Sequence, residues 1–145
     1  TKLSGQCLCG EISFQAEGDV PVMANCHCTD YRKSTSSAFA SLMFMKAVDV
    51  KVSGTPKTFQ HNSNAGSVMT KHFCNSCGPP MFTQNSSRRG ILGLRAGVIN
   101  DGGICAGGKR LHIKHNQGNM LDATLPTFEK LPGYQAIKQT GFCNI

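Results

Sequence analysis

Apolar and polar residues alternate with a period of two along much of this chain, the mark of strands that bury one face. In residues 11–16, Ile12, Phe14 and Ala16 alternate with Glu11, Ser13 and Gln15. In residues 48–52, Val48, Val50 and Val52 alternate with Asp49 and Lys51. Residues 39–45 form a short apolar run, and residues 67–73 read as an extended segment leading into a cysteine turn. Further strands are predicted over 91–98 and 109–113. Clusters such as Ser53-Gly54-Thr55-Pro56 and Gly78-Pro79-Pro80 punctuate them. Helical signal is confined to about one turn after Cys28 and a short segment around 134–138. The pattern predicts one mainly β, antiparallel domain spanning residues 1–145, with no repeat, linker or low-complexity tract.

The core this pattern can build is lean. Only 39% of the 145 residues are hydrophobic, with eight Phe, two Tyr and no Trp. A fold of this kind gains from a metal staple that joins distant segments. Two paired motifs offer one: Cys7-Leu8-Cys9-Gly10 and Cys74-Asn75-Ser76-Cys77-Gly78. Together they supply four thiolates, the number a tetrahedral structural zinc takes, and each following glycine lets the backbone curl beneath the ion. Eight cysteines could instead form a disulfide scaffold, but that expects a shorter, secreted chain without such pairs at separate sites. Cys105 and Cys143 fall outside the pairs and read as small residues without a role.

Charge changes the picture little. The formal net charge is +7, and a four-thiolate zinc site would bring it to about +5. The basic residues are scattered, with no basic run and no aromatic interleaving, so nucleic acid is not indicated. No stretch reads as a membrane span, and the first residues, Thr1-Lys2-Leu3-Ser4-Gly5, lack a signal-peptide apolar region. The expectation is a cytoplasmic protein whose sequon Asn85-Ser86-Ser87 carries no glycan. Residues 103–109 space like a phosphate-binding loop, but Arg110 stands where Ser or Thr would hold magnesium, and the segment reads as a glycine-rich surface loop.

A third cluster, Cys26-His27-Cys28, lies between the pairs. The order CxCG, then Cys26-His27-Cys28-Thr29-Asp30 with Arg32-Lys33-Ser34, then His72-Phe73-Cys74-Asn75-Ser76-Cys77-Gly78, resembles the glutathione-dependent formaldehyde-activating enzyme family, which includes centromere protein V. Weaker echoes follow in residues 96–101, His112-Ile113 and Leu125-Pro126-Thr127-Phe128-Glu129. The resemblance implies a zinc-stapled β-tent fold. It implies a structural zinc on Cys7, Cys9, Cys74 and Cys77, and a second zinc held by three cysteines of the middle motif. Cys26 and Cys28 match two of those; the third position is Tyr31.

That exchange sits at the reacting centre. A phenol oxygen lies farther from its Cβ than a cysteine sulfur, and its reference pKa of about 10 makes deprotonation costly at neutral pH. Three readings of Tyr31 stay open: a phenolate ligand to a shifted metal, a general acid or base in a pocket that has lost its zinc, or a space-filling ring. Cys26 and Cys28 in an extended segment would share one face and send His27 to the other, as a packing or hydrogen-bonding residue. Arg32 and Lys33 would make the pocket cationic, lower nearby thiol and phenol pKa values and orient an anionic group. Ser34 would add a hydroxyl for substrate or cap the helix.

The resemblance implies a carbon–sulfur lyase-like enzyme acting on a thiol adduct of the glutathione kind or another small electrophile. Cys26, Cys28 and Tyr31 would be its catalytic residues, and Arg32, Lys33 and Ser34 would bind substrate. The alternative is a non-catalytic zinc-stapled module that contacts protein or nucleic acid.

Overall fold

The computed structural model describes residues 2–100, 109–113 and 126–128. Among these, two sheets account for most of the backbone, with one α-helix. The strands are β1 (Lys2–Gln6), β2 (Ser13–Glu17), β3 (Val22–Cys26), β4 (Ala40–Lys46), β5 (Val50–Ser53), β6 (Lys57–Asn62), β7 (Val68–Phe73), β8 (Pro80–Asn85), β9 (Ile91–Arg95), β10 (Lys109–Ile113) and β11 (Thr127–Phe128). A three-stranded sheet runs β1-β2-β5, and an eight-stranded sheet runs β11-β10-β3-β4-β9-β8-β7-β6. The pairing is antiparallel except where β10 joins β3 and β11 in parallel. No helix among the described residues is long and apolar enough to cross a membrane.

Alternation on β2 is as expected: Phe14 and Ala16 are buried while Gln15 and Glu17 are exposed. Because side chains on a strand alternate between faces, the large sheet carries two sets. Met23, Met43, Met45, Phe82, Leu92 and Leu94 face the small sheet and pack with Leu3, Ile12, Phe14 and Ala16 into the main core. Val22, Ala24, Cys26, Ala40 and Leu42 occupy the opposite face and form a second cluster with Tyr31. The second face is the one that holds the site.

Two expectations are corrected. The run 48–52 is not one strand, because residues 47–49 form a 3-10 turn that leaves Val48 87% exposed. The strand predicted over 91–98 ends at Arg95, where a second 3-10 turn, Ala96–Val98, takes over. The sheets are mainly antiparallel, as the pattern predicts, and β10 adds parallel pairings with β3 and β11. The short segment around 134–138, the glycine-rich run 103–108, Cys105 and Cys143 lie outside the described residues.

The helix after Cys28 forms as expected and runs Thr29–Thr35 (α1). Cys28 is its N-cap, with Sγ accepting from the Tyr31 amide at 3.4 Å. Ser36 ends it in the left-handed conformation, at φ 54°. Ser34 and Thr35 spend their hydroxyls on the Tyr31 carbonyl, at 3.3 and 2.7 Å.

Candidate functional site

Cys7 follows β1 and Cys74 follows β7, so the two cysteine pairs stand at the ends of strands from different sheets. Their four sulfurs all lie within 4.8 Å of one another. Cys9 Sγ is 3.5 Å from Cys7 Sγ and 3.7 Å from Cys74 Sγ. Two backbone amides point at the cluster: Ile12 N–H donates to Cys7 Sγ at 3.3 Å, and Cys9 N–H to Cys77 Sγ at 3.4 Å. Gly10 and Gly78 adopt φ of 80° and 90°, which ordinary L-residues rarely do, and close the turns beneath the sulfurs.

The electrostatics of this cluster favour a cation. Burial pushes the Cys7 thiol up, but the Ile12 amide and the thiols of Cys9, Cys74 and Cys77 outweigh it and bring the group down to about 6. The Glu11 amide draws Cys9 down, yet competition with Cys77, burial, and the remaining sulfurs leave it at about 12. One thiolate is thus held by the others, and the arrangement would hold a metal ion. Four soft donors at this spacing fit zinc.

On the other face of the large sheet lies a cavity of about 330 Å³. Cys26 reaches it from the end of β3 and Cys28 from the helix cap, and Tyr31, Lys71, Thr83 and Met69 also line it. Tyr31 is the one buried residue of α1. Lys71 Nζ lies 4.9 Å and Arg95 Cζ 4.7 Å from the centroid of its ring. Lys71 Nζ also donates to the Asp30 carbonyl at 3.2 Å, and Asp30 lies 3.9 Å from His61 Nδ1.

Burial pushes the Tyr31 phenol up to about 12, with the positive charge of Arg95 and the nearby Thr83 pulling the other way. The expected lowering of its pKa by neighbouring cations therefore does not occur, because desolvation of a buried phenolate outweighs them. Arg32, Lys33 and Ser34 are exposed and stand outside the cavity lining. Arg32 instead donates to the Thr29 hydroxyl at 3.3 Å. The cations that face the cavity are Lys71 and Arg88. His27 is buried, with its ring 4.9 Å from that of Phe39.

The described residues around this cavity do not complete a second metal site of His, Cys, Asp or Glu ligands. Among the described residues, the Cys7, Cys9, Cys74 and Cys77 set is the one group of three or more His, Cys, Asp or Glu able to hold an ion. Cys26 and Cys28 offer two thiols, and Tyr31 keeps its proton with two cations against its ring. A dication would have to displace that proton against the repulsion of Lys71 and Arg95.

Reading the sequence missed Lys71, Arg95 and His61. The available signal was phase: Arg95 falls on the same strand phase as Ile91 and Gly93, which line the cavity.

A family model described as glutathione-dependent formaldehyde-activating enzyme matches residues 2–115. A crystal structure of a Rhodobacter sphaeroides protein is similar in fold, at 16% identity and a TM-score of 0.55, over 86% of this chain and 98% of that one. No curated protein matches.

Proposed function

As the chain belongs to the glutathione-dependent formaldehyde-activating enzyme family, we propose that it makes or breaks a carbon–sulfur bond between a small thiol and a small carbonyl electrophile. The observation that carries this reading is the convergence of Cys26, Cys28 and a protonated Tyr31 on one cavity. In the bond-forming direction the thiol sulfur attacks the carbonyl carbon, and the C=O π pair moves to oxygen as the C–S bond forms. Tyr31 Oη gives its proton to that oxygen. The S–H proton passes to Cys26 or Cys28 Sγ as that thiol hands its own proton to the phenolate, which closes the cycle. Cleavage runs the same steps in reverse.

A phenol at about 12 keeps its proton at neutral pH and yields it only to a strong base, such as a developing alkoxide. A positioned acid of this kind contributes about 10²–10⁴-fold in rate. Cys7, Cys9, Cys74 and Cys77 would hold a zinc ion that cross-links the two sheets and takes no part in the chemistry.

The test is exchange between glutathione and formaldehyde followed by NMR, in wild type, Tyr31→Phe and the Cys26→Ser/Cys28→Ser double variant. Tyr31→Phe keeps the ring and should lose about 100-fold or more in rate. Undiminished rate in Tyr31→Phe would overturn the role given to the phenol, and no acceleration by wild type would overturn the proposal and leave a non-catalytic binding module.

A further inference from the structure

Arg95 is the buried group that the proton steps leave unused. It is 4% exposed, and its Nε, Nη1 and Nη2 have no hydrogen-bond partner. Burying a guanidinium without partners is among the most expensive arrangements in a protein interior. It stands at the end of β9, in register with Leu42, on the sheet face where Gly93 and Thr83 reach the cavity. Its guanidinium lies against the Tyr31 ring, which is part of the cavity wall.

Lys71 adds a second cation. It is 7% exposed and lines the cavity directly, and its ammonium donates to a neutral carbonyl oxygen, that of Asp30. The ionisable groups around the pair are Tyr31, Cys26, Cys28 and Asp30. Tyr31 stays neutral. Asp30 is half-exposed and acts on Lys71 but not on Arg95. The two buried cations therefore face the sulfurs of Cys26 and Cys28 and, for Lys71 alone, the half-exposed Asp30, and the cavity has room for more negative charge.

We infer that Arg95 and Lys71 form the binding position for a carboxylate on the molecule that fills this cavity. The inference rests on the reading of the cavity as the substrate site. A carboxylate here satisfies the ammonium directly and lies in the field of the guanidinium, which packs against the Tyr31 ring of the cavity wall and does not itself line the cavity. In the dry interior this attraction is much stronger than at the surface. It also orients the ligand, because holding the carboxylate at Lys71 leaves the reacting end to Tyr31, Cys26 and Cys28.

Calorimetric titration of the protein as purified, with glutathione and with its diethyl ester, separates the two readings. Wild type should bind glutathione at least tenfold more tightly than the ester, and Arg95→Met and Lys71→Met should each erase that preference. Equal affinity of wild type for both compounds would overturn the carboxylate position while leaving the cavity as the site. If neither compound binds, the cavity reading fails and the inference falls with it. A thermal midpoint of Arg95→Met below that of wild type makes Arg95 a structural residue and likewise overturns the inference.

Discussion

Cys9 and Cys74 are separated by 65 residues in the chain and by 3.7 Å between their sulfurs. The contact joins a turn beyond the small sheet to a turn beyond β7 of the large one. Between them, Cys7 and Cys74 are almost fully buried, so loss of an ion would leave thiols packed against the core. A structural zinc contributes about 10–16 kcal/mol of apparent binding free energy, which equals or exceeds the roughly 5–15 kcal/mol that holds a typical domain together. Incubation with a strong chelator should therefore unfold the protein or lower its thermal midpoint by tens of degrees, and added zinc should reverse the loss. Circular dichroism melting checks this.

The turns beneath the sulfurs should be sensitive to a single methyl group. Gly10 and Gly78 have positive φ, and a Cβ built at either position meets nothing within 4 Å. Strain in the backbone, not crowding, is thus the cost of a substitution. Gly78→Ala should destabilise by about 1–2 kcal/mol, read as a lower thermal midpoint and weaker zinc retention in a chelator competition.

Cys28 has two roles that substitution can separate. Its sulfur caps α1 through the Tyr31 amide, and it also lines the cavity. Serine is a good cap and alanine is not, so Cys28→Ala should cost about 0.5–2 kcal/mol while Cys28→Ser should not. Melting curves of the two variants side by side give the comparison.

Much of this was legible in the chain, and the failures have physical causes. The alternation of Phe14 and Ala16 with exposed neighbours found β2, since one face of that strand is wet. Val22, Met23 and Ala24 are all buried, so β3 has no alternation to read. β6 fails in the opposite way: nearly every residue is exposed, and pairing with β7 holds it without an apolar face. The cysteine cluster could be read from spacing, because both pairs are local motifs. The cavity could not. Lys71 meets Thr83, and Thr83 meets Gly93, only through the register of three strands. Arg32 and Lys33 are near the cysteines in sequence, but the helix leaves them exposed.

The buried phenol predicts a specific alkaline behaviour. The pKa of Tyr31 is raised from 10 when unfolded to about 12 in the fold. Its contribution is fully present below about pH 10 and is lost as pH rises through about 12, because only the unfolded chain ionises there. Two units correspond to roughly 2–3 kcal/mol. The difference in phenolate absorbance between wild type and Tyr31→Phe should show no Tyr31 ionisation at pH 10, and wild type should lose stability more steeply than the variant above it.

We propose that the chain carries one structural metal and a cavity in which protein cations and a phenol, rather than a second metal, surround Cys26 and Cys28. Elemental analysis of zinc per chain, on protein purified without added metal, tests it most directly. One zinc per chain, removed by substitution of Cys74 but not of Cys26, is the predicted result. Two per chain, with the second lost on Cys26→Ser, would contradict it.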